Sequence, residues 1–216
     1  MGEIRSLAVK AARGAGFDWG LAEEAGFAVE WLERNGLPGV AALSEYLSRR
    51  EEGAFSAHYV CPLTIGTLIS DTQEWQSRFP ARCGQPLLLA PFLAGVCRNT
   101  VLSITVETGL DTANSDSTEN LYEAMPETQQ DRTYKFRLSK TDIQSLSEFI
   151  SLDAGVVSVS LESADNAVRS RPKQTRVHES RLPYVESLNH FAHRTYAPAT
   201  EESRLSGAGA GVRDED

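Results

Sequence analysis

Glycine and proline residues divide the first fifty residues into three amphipathic segments. This division constrains the fold more than any other feature of the sequence. In the first segment Ile4, Leu7, Ala8 and Ala11 repeat at three- and four-residue spacing, which places them on one face of a helix. Gly14 is predicted to end this helix in the left-handed conformation, which a side chain would disfavour.

The second segment predicts a helix that begins at an Asp18 N-cap and ends at Asn35-Gly36. Glu30 and Arg34 have the i,i+4 spacing of an ion pair and are predicted to lie on its outer face. The inner face is rich in alanine, so another backbone can approach it closely. That inner stripe consists of Leu21, Ala25, Ala28 and Leu32.

A third helix is predicted from Pro38 to about Arg50, with Gly53 closing it. Two further helices are predicted later in the chain. One begins at a Ser139 cap, carries apolar residues on one face as far as Ile150 and has its end marked by Gly155. The other spans Pro183 to about Arg194.

Four strands are predicted at residues 87–90, 101–106, 133–138 and 156–161. The last three alternate apolar and polar residues with period two, so each is expected to bury one face and expose the other. This alternation favours antiparallel pairing over a sheet buried on both faces.

Helices gather early and strands later, which indicates an α+β fold in which an N-terminal three-helix layer packs on a mainly antiparallel sheet. Residues 1–198 are predicted to form a single α+β domain, with a helical part at 1–53 and a strand-rich part at 54–198. Residues 199–216 are predicted to form a Gly/acidic C-terminal tail.

The charge balance argues against two classes of partner. The chain has 21 Lys+Arg against 30 Asp+Glu and a formal net charge of -9, so phosphate backbones and anionic membrane surfaces are repelled. No stretch approaches the roughly 20 apolar residues of a membrane span. A small molecule or a protein is therefore the expected partner, with no nucleic acid and no membrane.

Three cysteines, Cys61, Cys83 and Cys97, lie far apart without C-x-x-C spacing. This pattern argues against a disulfide framework and against a structural zinc site. We therefore expect reduced thiols and a cytoplasmic location.

Two charged segments are predicted to be surface loops. Residues 107–131 carry seven acids and no Lys or Arg, but they lack the spacing of a Ca²⁺ loop. Residues 169–181 are basic but contain no Phe, Tyr or Trp to stack on bases, so they do not indicate a nucleic-acid site.

The glycines of the segment from Gly14 to Gly20 resemble a dinucleotide-binding fingerprint but fail it in two respects. Their G-x-G-x-x-x-G spacing is one residue too long, and a helix precedes them where the fingerprint needs a strand. No cofactor is predicted. A corner between two helices remains, where Arg13 and free N–H groups could meet an anion and Trp19 could form a wall.

Neither arrangement of histidines predicts a metal site. His190 and His193 are nearly one helical turn apart, but the sequence supplies no third ligand. His58 and Cys61 form an H-x-x-C sequence that is open to two interpretations, a thiolate pair or an inert core thiol at Cys61. No complete catalytic motif is present.

Two short stretches resemble a bacterial family that is classed only as a domain of unknown function. The first runs from Ala11 to Gly16 and on through Trp19 to Ala25, with Trp31-Leu32 following. The second runs from Thr195 to Arg204. The resemblance implies no activity and no catalytic residue.

Both stretches have unusual residues for a plain corner and a plain tail, so we hypothesise that they meet around one cleft. The predicted ligand-binding residues are Arg13, Trp19, Glu23, Glu24, Ser203 and Arg204. The predicted function is binding of a small metabolite or a partner protein without catalysis. The alternative is a small-molecule enzyme that uses carboxylate and histidine acid–base chemistry.

Overall fold

A computed structural model describes residues 1–55, 57–74, 76–96, 101–108, 132–138, 143–144, 154–162 and 181–196. This part of the chain contains α-helices and an antiparallel sheet, so the predicted α+β class is confirmed. None of the helices in these ranges is long and apolar enough to cross a bilayer.

The helices follow the chain in the order α1 to α6, and two short 3₁₀ helices lie among them. The α-helices are Gly2–Gly14 (α1), Trp19–Arg34 (α2), Gly39–Glu51 (α3), Pro62–Thr72 (α4), Ala90–Val96 (α5) and Leu182–His193 (α6). The 3₁₀ helices are Gln76–Arg78 and Pro86–Leu89.

The sheet has the order β1-β5-β2-β3-β4, and every neighbouring pair is antiparallel. Its strands are Ala81–Gly84 (β1), Val101–Thr108 (β2), Arg132–Leu138 (β3), Ile143–Gln144 (β4) and Ala154–Glu162 (β5). Ile104 in the central strand pairs with Phe136 on one side and Val159 on the other. The three predicted strands with alternating sequence are therefore confirmed.

The N-terminal helices form for the predicted reasons. The Asp18 carboxylate accepts a hydrogen bond from the Leu21 N–H at 2.7 Å, which caps α2. Ala25, Ala28 and Leu32 of the predicted stripe are fully buried. Small side chains on this face allow the neighbouring helices to approach closely, as the sequence indicated.

Gly14 does not take the left-handed conformation that we predicted. It is the last residue of α1, and the positive φ of 89° belongs to Gly16. Gly14 is needed for space instead, because a Cβ atom there would overlap the backbone carbonyl of Phe191 in α6. Helices α1 and α6 thus touch backbone to backbone at Gly14, a long-range contact that local sequence does not reveal.

The predicted strand at 87–90 is wrong. Pro86–Leu89 is a 3₁₀ helix that leads directly into α5, and Leu87, Leu88 and Leu89 are all buried. A short, continuously apolar run does not distinguish a buried strand from a buried helix by periodicity, and here the helical alternative forms. The sequence also did not predict α4 or β1.

The helix predicted from Ser139 is contradicted at Ile143 and Gln144. These two residues form β4, which pairs with Leu138 and Arg137 of β3. Backbone hydrogen bonding to the adjacent strand prevails over the amphipathic pattern there. Ala154 and Gly155, at the predicted end of the helix, belong to β5. The other residues of that predicted helix lie outside the described residues.

Glu30 pairs with Arg34 at 2.7 Å as predicted, but it does not lie on an outer face. Only 9% of Glu30 is exposed. A second guanidinium, that of Arg5 in α1, lies 3.3 Å from its other carboxylate oxygen. The charge of Glu30 is therefore buried between two helices, with two cationic partners.

Helix α6 is held to the N-terminal helices by an ion pair near each of its ends. At its start Arg181 pairs with Glu33 of α2, whose side chain is fully buried and also accepts a hydrogen bond from the Val40 N–H at 3.0 Å. At its end Arg194 pairs with Glu51 of α3, whose side chain is half exposed. Chain segments that are far apart in sequence thus share one helical bundle.

One core joins the helices and the sheet. Leu102, Ile104 and Val157 of the sheet belong to the same buried cluster as Leu32 of α2 and Leu188 of α6. The 3₁₀ helix Pro86–Leu89 contacts β5, and α5 contacts β3.

Several predictions fall outside the described residues. They are the acidic loop beyond residue 108, the basic loop up to residue 180 and the tail at 199–216. The first two residues of the predicted acidic loop, Glu107 and Thr108, form the end of β2 instead. The domain limits 1–198 and 199–216 therefore remain predictions. Arg181, the last residue of the basic loop, is described, and its partner is Glu33.

Replacing Gly14 by Ala is expected to destabilise the protein by about 2 kcal/mol or more, because the new methyl group would force α1 away from α6. Gly2→Ala in the same helix is the matched control, since a Cβ atom there meets nothing within 4 Å. Urea unfolding of both variants measures the difference. Equal stability of the two variants would contradict the backbone contact.

Replacing Glu33 by Ala is expected to cost about 2–4 kcal/mol, because the Val40 N–H and the Arg181 guanidinium lose a buried acceptor. Glu51→Ala removes the other ion pair of α6, which is exposed, and should change the melting temperature little. Thermal unfolding of the two variants compares them directly. A larger loss for Glu51→Ala would refute this ranking.

Candidate functional site

Two of the predicted ligand-binding residues, Arg13 and Trp19, lie together at the corner between α1 and α2. The Arg13 guanidinium is 4.6 Å from the centroid of the Trp19 ring, within the range of a cation–π contact. The same guanidinium donates a hydrogen bond to the Phe17 carbonyl. Trp19 remains 67% exposed.

A second arginine, Arg50 of α3, contacts the same corner. Arg50 donates to the Ala15 carbonyl at 2.8 Å, and its guanidinium is 4.3 Å from the Phe17 ring centroid. Phe17 itself is buried. Arg13 and Arg50 therefore satisfy carbonyl groups of the corner, which gives both arginines a structural role there.

The other predicted residues are not all brought to this corner. Glu23 is exposed and Glu24 is half-buried. Burial raises the pKa of Glu24, the charge of Asp71 in α4 raises it further, and Arg5 opposes both. The Glu24 carboxyl group is thus influenced by charges on both α4 and α1. Ser203 and Arg204 lie outside the described residues, so the meeting of corner and tail remains a prediction.

A more varied set of side chains lines a groove of about 530 Å³ beside α4. Its walls are the segment 58–61, the first two turns of α4, the 3₁₀ helix Gln76–Arg78 and the start of β1. We call it the α4 groove. Its polar and reactive side chains are His58, Cys61, Thr64, Ser77, Arg78 and Arg82.

Backbone pairing holds the two sides of the α4 groove together. The Val60 N–H donates to the Arg82 carbonyl at 2.8 Å, and Val60 forms an isolated parallel bridge with Cys83. Cys61 then serves as the N-cap of α4, and Pro62 opens the helix with its fixed φ. This arrangement places His58 and Cys61 beside the strand that carries Arg82.

The α4 groove is locally positive in a chain whose net charge is -9. Arg78 and Arg82 line it, and none of the described lining residues is Asp or Glu. Within the described ranges neither arginine forms an ion pair with a carboxylate. The Nε atom of Arg78 is buried and has no hydrogen-bond partner there. A buried donor of this kind is costly unless an acceptor reaches it.

Cys61, which lines the α4 groove, and Cys83, which follows Arg82 in β1, differ in accessibility. Cys61 is half-buried and Cys83 is fully buried. Burial, with a smaller effect of Cys61, raises the pKa of the Cys83 thiol well above its usual value, so Cys83 is unreactive. Burial also raises the pKa of Tyr46 in α3, and the charge and hydrogen bond of Cys61 add to this effect. Cys61 is thus the thiol that a ligand in the groove can contact.

The second histidine arrangement lies elsewhere. His193 lines a cleft of about 500 Å³ between α1 and α6, together with Lys10 and Tyr196. His190 is exposed on α6. In the described part of the chain, no three His, Cys, Asp or Glu residues are close enough together to hold a metal ion.

Sequence reasoning identified His58 and Cys61 but missed the arginines of the α4 groove. Arg78 and Arg82 belong to a 3₁₀ helix and a strand that the sequence did not predict. The available signal was the absence of acidic residues from 75 to 106 combined with arginines at 78 and 82. Periodicity gave no indication of the fold there.

Comparison with known families bears on the N-terminal helices. Residues 1–62 match the model of a family described as "Protein of unknown function (DUF3726)". This match confirms the predicted resemblance of the N-terminal stretch to a domain of unknown function, and it covers the corner and the start of the α4 groove. The C-terminal stretch from Thr195 to Arg204 lies outside the matched residues, so its resemblance stays a prediction. No curated protein and no solved structure matches the chain significantly.

Replacing Glu24 by Gln is expected to stabilise the protein at neutral pH, because the folded state holds the pKa of Glu24 above its ordinary value of 4.5. The folded wild type then binds more protons than the unfolded chain, so its stability falls as pH rises through the raised pKa. The gain from Glu24→Gln should vanish below pH 4.5. Melting temperatures across pH test this, with the exposed Glu23→Gln as control; equal gains at both sites would contradict it.

Proposed function

We propose that the protein binds a small anionic metabolite in the α4 groove without catalysing its conversion. The observation that carries this proposal is the pair Arg78 and Arg82 in a groove whose described lining has no carboxylate. The unpartnered Nε atom of Arg78 supports it further. An anion would supply the acceptor that this buried donor lacks.

The chemistry of the groove favours a carboxylate or phosphate group. A guanidinium presents N–H donors in a planar fork that matches both groups bidentately. The hydroxyl groups of Thr64 and Ser77 add neutral donors. Cys61 does not cap α4 with its side chain, so the N–H groups of the first helical turn add a favourable dipole for an anion.

An enzyme remains the second candidate, and the observation that favours it is the presence of His58 and Cys61 in the same groove. Acid–base chemistry of the carboxylate–histidine kind needs a carboxylate near the histidine. The described lining offers none, which is why we rank binding first. Binding of a partner protein without catalysis, the other half of the predicted function, stays a prediction.

We also propose a cellular location for the protein and a class of partner that it does not bind. The free thiols Cys61 and Cys83 support a cytoplasmic location, and the net charge of -9 supports a partner that is not a nucleic acid.

We also propose that α1, α2 and α3 form one layer that packs on the sheet. The buried cluster shared by Leu32, Ile104 and Val157 supports that layering.

Anion binding can be tested by calorimetry with inorganic phosphate, acetate and succinate as probes. At least one probe is expected to bind wild type, and Arg78→Gln and Arg82→Gln should each weaken it about 10- to 100-fold, the effect of losing a charged hydrogen bond. Arg34→Gln on α2 makes the same change at a side chain that is 62% exposed and lies outside the groove lining.

The bound anion can be located through Cys61. Saturating anion should slow alkylation of Cys61 by iodoacetamide, measured by peptide mass mapping, while the buried Cys83 stays unlabelled. The proposal fails if no probe binds, if Arg34→Gln loses as much affinity as the groove variants, or if the bound anion leaves the labelling rate of Cys61 unchanged.

A further inference from the structure

We infer that the ligand of the α4 groove is an aliphatic carboxylate, an anion that carries an apolar chain; this inference rests on the proposed function. Part of the groove is apolar, although its arginines mark it as an anion site. Val60, Ile65, Leu68, Pro80 and Ala81 line it together with the polar residues. A ligand that satisfies the whole groove therefore needs both kinds of group.

Two of these apolar side chains are unusually exposed. Val60, which precedes α4, and Leu68 of α4 are each 39% exposed, whereas Leu63 and Ile69 of α4 are fully buried. Large apolar side chains left in water at one concave site favour contact with an apolar partner. The exposure of Val60 and Leu68 is thus a second observation, independent of the arginines.

The α4 wall changes from polar to apolar along the helix. Cys61 and Thr64 lie at its start, and Leu68 lies one turn beyond Thr64 on the same side. Four residues of α-helix advance about 6 Å, so Leu68 is displaced from Thr64 by roughly the length of a few methylene groups. The groove volume of about 530 Å³ is within the range of small-ligand sites.

Simpler ligands would leave one half of the groove unsatisfied. A bare phosphate would leave Val60 and Leu68 in water, and an uncharged apolar molecule would leave the Arg78 Nε atom without an acceptor. An acidic peptide would bring several charges to a groove with two arginines. A single carboxylate with an aliphatic chain matches the charge and the apolar surface together.

The test is calorimetry with a homologous series of acetate, butyrate, hexanoate and octanoate, each below its micelle concentration. Affinity should rise about 4-fold per methylene until the groove is filled, from about 0.8 kcal/mol per buried CH₂. Hexanol and a hexyl ammonium ion carry the same chain without the carboxylate, and both should bind at least 10-fold more weakly than hexanoate.

Variants of the apolar lining test the aliphatic chain of the ligand separately from its carboxylate group. Leu68→Ser should reduce the gain per methylene while leaving acetate binding unchanged, and Val60→Thr provides a second, smaller change in the same direction. Leu182→Ser is the matched control, because Leu182 is 72% exposed on α6 and does not line the groove. Melting temperatures confirm that each variant is folded.

The outcomes distinguish this inference from the proposed function. If acetate and octanoate bind equally well and both depend on Arg82, the proposed function stands and the inference of a chain is overturned. If no anion of any length binds, both fail. If octanoate binds Leu68→Ser as well as wild type, the chain does not occupy the α4 groove and the inference is wrong. If hexanol matches hexanoate, the carboxylate is not recognised, and both the inference and the proposed anion binding are wrong.

Discussion

The close contact between α1 and α6 at Gly14 is the interaction on which the helical part depends. A backbone-to-backbone approach of this kind requires a residue without a side chain, and it brings the ends of α6 within reach of α2 and α3. Two ion pairs then fasten those ends, and the buried pair with Glu33 also holds the first turn of α3. The helical bundle therefore combines close contacts at glycine and alanine residues with buried ion pairs.

The α4 groove follows from a different constraint, the backbone pairing of residue 60 with the strand that contains Arg82 and Cys83. This pairing carries a loop segment, a helix start and a strand to the same place. The resulting cavity is positive in an acidic protein, which concentrates the attraction for an anion at one location. The corner of Arg13 and Trp19 differs from the α4 groove, because the Arg13 guanidinium already donates a hydrogen bond to a backbone carbonyl of the corner.

Much of the fold could be predicted because its signals are local. The cap at Asp18, the alanine stripe of α2 and the period-two alternation of β2, β3 and β5 depend on near neighbours in the chain, and the structure agrees with them. The prediction failed where a local pattern was ambiguous, as at residues 87–90. It failed also at Ile143, where pairing with a strand outweighed the helical period.

The same distinction between local and long-range signals applies to the candidate site. The sequence by itself determined the helical corner, the H-x-x-C pair of His58 and Cys61, and the acidic charge balance. Only the tertiary structure decided that Arg78 and Arg82 join that pair, and that Gly14 serves a helix crossing rather than a turn. The physical reason is that caps and periodicity arise from short-range geometry. The grouping of charges in a cavity arises instead from packing between segments that sequence spacing does not relate.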